Sequence, residues 1–503
     1  QEATYDALGR IVKIQEKDCD NPDPQGDCPM RTVYTCVHDN TGRPVTVEHS
    51  DWWDGVAREV KSEFFYDDWG QTKETRHGAG RIEHSEFDPV SRKQKNWQQG
   101  MGKTVTVVNA FGKPDSVEVF DLKERSLGKT VYTYDGLGRT LSQTDPAGNK
   151  TSFEYDVFDR LVRTVLPDGH AVETTFAAHS TDELPVEIKV AGVQLGQQAF
   201  DGLNRVTGMS VGGRKSFASY EAGRSLPKSH TDASGQRTEF VHEPALGGLL
   251  TERKAVIARG SLIEGDELTE AEDDGLTTRF TYDVLNGKPQ SCIEQGRESH
   301  FEYFPSGRLK SQTTQFGDLR QTVSHTYTFA GRPLTYVDVL GVKHKTEYDT
   351  WGRRVSFKQG AVQADFFYDK KTALLERIET RDTSSSKLLT TRLTYDDLGR
   401  EATRSFEANG LVTQTLTSTY TVVGKLSQKV LKRGAFVLRD ERFAYDVRGR
   451  LTQYNCDGSQ RPRDPYGKEI IRQVFTFDAL DNILTLETTF PQGVNVTTFS
   501  YSE

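Results

Sequence analysis

The sequence is short of the residues that build thick hydrophobic cores. Hydrophobic residues make up 35% of its 503 positions and the mean hydropathy is −0.64. Even with 44 glycines added, this lies below the roughly 45–50% apolar content of ordinary globular domains. Single cores stop growing at roughly 250–300 residues, so a chain of this length would ordinarily divide into several domains. The shortage argues against several filled cores and favours a thin, extended or hollow architecture.

Other features are also missing. No apolar run approaches the roughly 20 residues of a membrane span, and no charged-then-apolar leader opens the chain. The 64 basic and 73 acidic residues are mixed along the sequence, with a formal charge of −9, so the concentrated basic face of a nucleic-acid-binding protein is not indicated. The chain begins at Gln1 inside a sequence motif. We therefore expect a piece of a longer or processed polypeptide.

Cysteine is too scarce for a disulfide framework. Cys19, Cys28 and Cys36 cluster near His38, whereas Cys292 and Cys456 are solitary. A Cys19–Cys28 loop staple, a small metal site and free thiols are all compatible with the cluster, although no CxxC pair is present. The eleven histidines include no HxH or HExxH spacing, and no GxSxG, GxGxxG or Walker sequence occurs. The sequence predicts no catalytic, metal or cofactor site.

Aromatic residues and a repeated motif are abundant instead. The chain has 26 Phe and 19 Tyr, and Tyr-Asp-x-x-Gly-Arg recurs along it with tyrosine-to-tyrosine steps of 21 or 25 residues. Weaker copies start at residues 66, 200, 282, 303, 327, 420 and 477. The positions that we predict to be structural are Tyr5, Asp6, Gly9, Arg10, Tyr134, Asp135, Gly138, Arg139, Tyr155, Asp156, Arg160, Tyr348, Asp349, Gly352, Arg353, Tyr395, Asp396, Gly399, Arg400, Tyr445, Asp446, Gly449 and Arg450.

The motif has the chemistry of a tight turn. An aspartate that opens a type I turn accepts hydrogen bonds from backbone N–H groups ahead of it, and glycine three residues later supplies the positive φ of a hairpin bulge. Asp159, Asn204, Asn286 and Asp481 stand where glycine usually does, and Asn and Asp also tolerate that conformation. A catalytic acid would not explain this substitution pattern. We read the neighbouring carboxylates at 67–68 and 396–397 as turn caps as well.

Short β-prone runs flank each turn. In KTSFEY (150–155), Thr151, Phe153 and Tyr155 share one face, which is the period of a strand. Looser connections such as 145–148, 167–169 and 232–235 carry their own turn signals. Each unit is therefore predicted to be a β-hairpin. Its arginine either lies over the tyrosine of the same or the next hairpin or pairs with aspartate.

Hairpins of one period stack edge to edge into a continuous sheet. A long flat sheet would leave an exposed edge, so we predict an all-β chain whose hairpins form a spiralling single-layer sheet, a hollow shell or part of one. Rows of Tyr and Phe would pack neighbouring turns of the spiral together. We assign residues 1–503 to this shell, as a fragment of a longer protein.

The repeat breaks between Tyr220 and Tyr282. We predict an inserted loop over 245–276, with a short amphipathic helix in LTERKAVIARG (250–260). Its acidic run, 262–276, either docks a partner or a divalent cation or is a solvated excursion.

YDALGR, YDGLGR, YDTWGR, YDDLGR and YDVRGR resemble the YD repeats of Rhs proteins, which include bacterial Rhs effectors, the B and C components of Tc insecticidal toxins and animal teneurins. The resemblance implies a β-cocoon one sheet thick that encloses a C-terminal toxin domain, released in several members by aspartate-dependent self-cleavage near the end of the shell. The core of the family ends in a DPxGL-type motif. Asp464-Pro-Tyr-Gly467 lacks the Leu of that motif, so no protease role is assigned to Asp464.

The predicted function is a non-catalytic β-cage of a bacterial Rhs/Tc-type toxin that encapsulates and protects a toxin polypeptide until delivery. The expected partners are its own C-terminal toxin cargo or a second shell-forming subunit, and the delivery machinery, with no nucleic acid, membrane span or cofactor. The protein would be a secreted or delivered toxin component. A surface adhesion or glycan-binding protein is the main alternative, and an enzyme with paired carboxylates is a further one.

Overall fold

The computed structural model describes residues 1–22, 25–78, 80–256, 276–385 and 387–501. These form one sheet of 41 strands, together with a 3₁₀ turn at Pro244–Leu246. The strands are β1 Glu2–Tyr5, β2 Ile11–Lys17, β3 Met30–His38, β4 Pro44–Trp53, β5 Val56–Tyr66, β6 Thr72–His77, β7 Ile82–Asp88, β8 Lys93–Gln98, β9 Lys103–Val108, β10 Pro114–Phe120, β11 Ser126–Tyr134, β12 Thr140–Thr144, β13 Lys150–Tyr155, β14 Leu161–Val165, β15 Ala171–Phe176, β16 Pro185–Val190, β17 Val193–Phe200, β18 Val206–Val211, β19 Arg214–Tyr220, β20 Pro227–Thr231, β21 Arg237–Glu243, β22 Leu249–Val256, β23 Thr277–Tyr282, β24 Pro289–Glu294, β25 Arg297–Tyr303, β26 Leu309–Phe316, β27 Leu319–Tyr327, β28 Pro333–Val337, β29 Lys343–Tyr348, β30 Arg354–Gln359, β31 Val362–Tyr368, β32 Leu375–Asp382, β33 Lys387–Tyr395, β34 Glu401–Ala408, β35 Leu411–Tyr420, β36 Leu426–Arg433, β37 Phe436–Tyr445, β38 Leu451–Asp457, β39 Arg472–Phe477, β40 Ile483–Phe490 and β41 Gly493–Thr498.

The sheet is an uninterrupted antiparallel meander, because each strand pairs with the next one along the chain. The unit at 150–165 is typical: Ser152 lies opposite Val165 and Phe153 opposite Thr164, and the register then shifts by one residue at Tyr155. The preceding unit shifts in the same way at Tyr134. These shifts are the bulges that the turn sequence predicts. The predicted all-β sheet of stacked hairpins is therefore confirmed.

The sheet is a single layer with very little core. The solvent-accessible surface is 30844 Å², whereas a compact protein of 56.5 kDa exposes about 18,500 Å². Among the described residues, the buried apolar side chains are Cys36, Ala177, Val190, Leu393, Leu438 and Cys456. The low aliphatic content of the sequence is thus explained by the absence of a second packed layer over most of the sheet.

The ribbon of strands winds past itself as a spiral. Gln98 donates a hydrogen bond to the carbonyl oxygen of Lys371, 273 residues away, and Arg448 donates to the carboxylate of Asp168, 280 residues away. In both cases the two contacting positions lie 23 strands apart, since Gln98 ends β8 and Lys371 follows β31, while Asp168 follows β14 and Arg448 follows β37. One circuit of the spiral therefore takes 23 strands.

The two edges of the ribbon carry different loops. We call the edge that carries the Tyr-Asp turns the YD edge, and the edge that carries the intervening loops the distal edge. In both contacts a residue at or just after the end of an even-numbered strand of the first circuit meets a loop that follows an odd-numbered strand of the second, so the YD edge of the second circuit lies against the distal edge of the first. We call this contact, between distal loops of residues 18–170 and YD turns of residues 304–450, the seam.

A ring of this size cannot be filled by its own side chains. At 4.7–4.9 Å between strands, 23 strands give a circumference of about 110 Å and a diameter of about 35 Å. Strand rings of 16–18 strands already leave an aqueous channel. The sheet is not closed by strand pairing, because β1 and β41 each pair on one side only. The shell is thus hollow and open, and it overlaps itself through loops.

The region of the predicted inserted loop differs from expectation in part. Residues 249–256 form β22, which pairs with β21 and with β23. The predicted amphipathic helix over 250–260 is therefore wrong over residues 250–256: Leu250, Glu252 and their neighbours serve as strand residues because the adjacent strands supply hydrogen-bonding partners. The acidic run lies almost wholly in 257–275, outside the described residues. Within the described ranges, no helix is long and apolar enough to cross a bilayer.

Replacement of Gly102 by alanine tests the close approach at the seam. The Gly102 N–H donates to the Asp397 carbonyl oxygen across the seam at 2.7 Å. A Cβ atom there would overlap the carbonyl oxygen of Phe120 on β10 of the same circuit and would lie 3.1 Å from that of Asp397. We expect Gly102→Ala to lower the free energy of unfolding by about 1–3 kcal/mol. Gly136→Ala is the matched control, because nothing lies within 4 Å of its Cβ position. Equal thermal unfolding midpoints for the two variants would contradict the geometry.

Candidate functional site

The turn aspartate organises each repeat. In the turn at 134–139, one carboxylate oxygen of Asp135 accepts the N–H groups of Leu137 at 2.9 Å and Arg139 at 2.8 Å. The other oxygen accepts Nε of Arg139 at 2.6 Å. Both oxygens are therefore used inside the turn. The same pair of amide contacts occurs at Asp6, Asp39, Asp67, Asp156, Asp201, Asp349, Asp396, Asp446 and Asp478.

The residue three positions after the aspartate takes the left-handed conformation. Gly138 has φ +78°, and Asp159, Asn204 and Asp481 have φ of 65°, 61° and 69°. The predicted equivalence of these residues with glycine is thus confirmed for three positions. It is wrong for Asn286, because this turn is one residue longer and Gly287, with φ +68°, takes the conformation. The Gly287 N–H accordingly donates to the Asp283 carbonyl.

The turn arginine joins one repeat to the next. Besides its own Asp135, Arg139 contacts the following turn, where Nη1 donates to the Asp156 carbonyl oxygen at 3.2 Å. Its guanidinium also lies 5.0 Å from the ring centroid of Tyr155. The two roles considered for this arginine, ion pair and cation–π contact, are therefore filled together. Arg205, Arg353, Arg400 and Arg450 likewise pair with their own aspartate and cover the next aromatic ring.

The turn tyrosine completes the connection from the other side. Tyr155 donates its hydroxyl to the Thr140 carbonyl oxygen of the preceding repeat at 3.1 Å. Tyr134, Tyr348, Tyr395 and Tyr445 make the same contact to Pro114, Pro333, Leu375 and Leu426. The expectation that aromatic rows pack neighbouring circuits of the spiral is wrong: these rings join neighbouring hairpins, because strand pairing brings the tyrosine beside the previous turn.

The seam is mostly polar. The Asp397 carboxylate accepts the Leu122 N–H at 2.9 Å, and beside this contact lies a cleft of about 540 Å³ lined by Trp97, Met101 and Leu398 among others. The rings of His77 and Trp351 make a T-shaped contact at a centroid distance of 5.4 Å. Backbone groups, charges and a few rings hold the two circuits together.

Trp69 and Trp351 occupy the same position in two YD turns but have different environments. Trp351, in the second circuit, is half-buried against the distal edge of the first circuit, where it contacts His77 at the end of β6. Trp69, in the first circuit, is 78% exposed. The difference follows from the spiral, because only the YD edge of the second circuit has a distal edge below it.

The electrostatics of the turns favour ionised aspartate. The backbone N–H of Arg10 is the main cause that holds the pKa of Asp6 below its usual value, and the Arg205 guanidinium does the same for the pKa of Asp201. For Asp135, partial burial acts to raise the pKa, but the hydrogen bonds from Arg139 outweigh it and the pKa is again lowered. The carboxylates are therefore structural charges that strengthen the turns near neutral pH.

The cysteine cluster contains a disulfide and a free thiol, and Asp464 is a turn residue. Cys19 and Cys28 form a disulfide, so the loop staple is the alternative that the structure contains. Cys36 is free and its sulfur lies 3.4 Å from Nε2 of His38. Asp464 accepts the N–H groups of Tyr466 and Lys468, as an ordinary turn aspartate does. Across the described ranges, no three metal-ligating side chains come together.

Two further turns of the same kind lack the tyrosine, so the tyrosine-based motif does not predict them. Asp39-Asn-Thr-Gly42-Arg43 follows His38, and Asp121 with Arg125 forms a turn on the distal edge. The shorter motif Asp-x-x-Gly-Arg, with no aromatic residue required before it, would have identified the first of these turns. The second has Glu124 in the left-handed conformation, which no simple pattern predicts.

Comparison with known proteins agrees with this geometry. The family profile described as RHS Repeat matches residues 128–171. Teneurin-m of Drosophila melanogaster is 23% identical over 271 residues, covering 49% of this chain and 10% of its own length. Double-stranded DNA deaminase toxin A of Burkholderia cenocepacia is 27% identical over 496 residues, covering 84% of this chain and 32% of its own length. The chain thus spans a third or less of each relative.

Solved structures share the fold. A crystal structure of TcdB2-TccC3 without its hypervariable C-terminal region superposes with a TM-score of 0.68 at 12% identity, covering 99% of this chain and 32% of that one. A TcdB2-TccC3-TEV structure gives 0.52 at 14% identity, covering 97% and 26%. The resemblance to the Rhs/YD-repeat family, and to the shell of Tc toxins in particular, is confirmed at the level of repeat and fold.

The pKa shifts predict acid lability. A carboxyl group whose pKa is lower in the folded chain than in the unfolded one stabilises the fold above its unfolded pKa of about 3.9, and this stability is lost as pH falls further. We expect the unfolding temperature to drop steeply between pH 5 and pH 3. Asp201→Asn should start lower at pH 6 and decline less. An unfolding temperature that is constant down to pH 3 would contradict this account.

The two tryptophans give a matched test of the seam. Trp351→Ala removes a half-buried ring and its contact with His77, so we expect a loss of about 2–4 kcal/mol in the free energy of unfolding. Trp69→Ala changes the same turn position where the ring is exposed, and should cost less than about 0.5 kcal/mol. Differential scanning calorimetry of both variants checks this. Equal losses would show that the two YD edges are in the same environment.

Proposed function

We propose that this chain, an Rhs/YD-repeat protein, forms part of the non-catalytic wall of a hollow container that encloses a toxin polypeptide until delivery. The observation that carries the proposal is the seam. A single-layer ribbon that returns to itself after 23 strands bounds a space about 35 Å across, which its own side chains do not fill. A wall whose carboxylates and arginines are used up in turn-to-turn contacts offers little chemistry of its own.

Containment would act by exclusion. A chain inside such a wall is shielded from proteases and from chaperones or membranes outside, and release requires only that the wall open. The bacterial relative has toxin in its name, and two solved structures that share the fold are of TcdB2-TccC3, which supports a role as a delivered toxin component. The cargo and the delivery machinery are partners of the same proposal.

The wall would be completed by a second ribbon of the same repeat type. The YD edge of the first circuit presents exposed apolar side chains at the position that Trp351 and Leu398 occupy in the seam. A distal edge of another YD-repeat ribbon fits this row, since the seam itself shows how such an edge covers it. The exposed side chains are Leu8, Trp69, Phe111, Leu137 and Leu203.

Limited proteolysis of the full-length parent protein tests containment. We expect the C-terminal cargo segment to resist a protease that degrades the same segment expressed alone, and to become cleavable once the shell is opened at low pH. A cargo that is cleaved equally fast with and without an intact shell would contradict the proposal. Binding of the 503-residue chain to cells or to a glycan array would instead favour adhesion, for which the similarity to Teneurin-m is the supporting observation.

Charged substitutions on the exposed row test completion of the wall. Trp69→Glu with Leu137→Glu should leave the unfolding temperature of the isolated chain nearly unchanged, because both side chains are exposed. In the full-length protein or complex, the same changes should weaken association of the shell halves and expose the cargo to protease. Glu59→Gln, on an exposed strand position, is the control. Unchanged assembly of the Trp69→Glu, Leu137→Glu double variant would exclude the YD edge of the first circuit as the docking surface.

A further inference from the structure

Two YD turns of the second circuit keep the arginine but lack the aspartate that normally holds it. Thr328 stands in the aspartate position of the turn that ends at Arg332, and Phe304 stands in that of the turn that ends at Arg308. Without that aspartate, the arginine side chain and the amide two residues after the aspartate position have no carboxylate within their own turn. Both turns lie in the seam.

At the first of these turns, Asp51 from the preceding circuit supplies the missing carboxylate. Its Oδ1 accepts the Ala330 N–H at 2.7 Å, and its Oδ2 accepts Nη1 of Arg332. In a complete turn the same two groups, the amide two residues after the aspartate position and the arginine side chain, bind the turn's own aspartate. Thr328 keeps only the remaining contact, accepting the Arg332 N–H at 3.1 Å. Asp51 is 6% exposed, so it is committed to this role.

The second turn repeats the arrangement with an unrelated loop. Asp20 Oδ1 accepts the Ser306 N–H at 2.9 Å, and its Oδ2 accepts Nη1 of Arg308 at 3.2 Å. Asp20 follows Cys19, and the Cys19–Cys28 disulfide closes its loop. The substitution and its compensation therefore occur twice, 24 residues apart along the YD edge and 31 apart along the distal edge.

Turns without any carboxylate show the complementary pattern. Asn109 and Thr421 occupy the aspartate position of two other turns, and there the residue after glycine is Lys113 and Lys425. Arginine is instead kept at Arg308 and Arg332, where a carboxylate reaches it across the seam. This fits the geometry of the groups, since a guanidinium binds a carboxylate with two parallel hydrogen bonds and an ammonium does not.

We infer that Asp20 and Asp51 are register-determining residues of the shell, each acting as the turn aspartate of a repeat one full circuit ahead. A turn completed in this way is formed only when the second circuit lies in the correct position over the first. Sliding by one hairpin would bring at most one of the two aspartates opposite one of the two arginines. The other arginine would then lose its carboxylate and the other aspartate its partners across the seam, which is costly for a buried charge. The inference rests on the fold and holds whether or not the shell encloses a cargo.

Amide hydrogen exchange of the 503-residue chain tests it. Asp51→Ala should raise the exchange rate of the Ala330 amide by about tenfold, the effect of losing one charge-assisted hydrogen bond. The Leu137 amide, whose turn has its own Asp135, should keep its rate. Glu59→Ala, which removes an exposed carboxylate from the same hairpin as Asp51, is the control and should change neither amide.

A second substitution distinguishes loss of the turn's carboxylate from general destabilisation of the protein. Thr328→Asp restores the usual turn sequence, so Asp51→Ala with Thr328→Asp should return the Ala330 amide to its original rate. Asp20→Ala and Phe304→Asp provide an independent pair, read at the Ser306 amide. Unchanged exchange in both single variants, or failure of both rescues, would overturn the inference. Because the readout is a backbone amide, failure here is distinct from failure of cargo protection.

Discussion

The structure depends on one small interaction, a carboxylate that accepts two amides and a guanidinium within a six-residue turn. Asp135 uses both of its carboxylate oxygens on Leu137 and Arg139, and Arg139 is thereby held with Nη1 aimed at the next turn. The hydroxyl of Tyr155 ties the strands back in the opposite direction. Each hairpin is therefore fixed to its neighbour by contacts that need no hydrophobic core.

Because the hairpins are joined without a hydrophobic core, the low apolar content and the single-layer shape of the chain have the same cause. A sheet that derives its order from turns, ladder hydrogen bonds and ring contacts can remain one layer thick, and a twisted single layer of this length must curve. It meets itself after 23 strands, where the chemistry of the turn is used again across the seam. Aspartates of one circuit cap the backbone or arginines of another, so the same interaction builds both the repeat and the spiral.

Much of this could be predicted from the sequence, because the turn chemistry is local. The strand at 150–155 and the left-handed residues at 159, 204 and 481 follow from short-range rules. Asn286 was misassigned because Gly287 competes for the same conformation one residue later. Residues 250–256 were misassigned because a neighbouring strand decides their structure. The seam was not predictable: Asp20 and Asp51 stand in no motif, and their partners lie about 280 residues away.

The wrapped, hollow ribbon is the claim on which the rest stands, and small-angle X-ray scattering of the 503-residue chain tests it directly. A ribbon of 41 strands laid out without overlap would be about 200 Å long. The account predicts a maximum dimension well below half of that, with a distance distribution weighted toward the larger distances as in a hollow body. A maximum dimension near 200 Å, or the distribution of a solid globule, would contradict it.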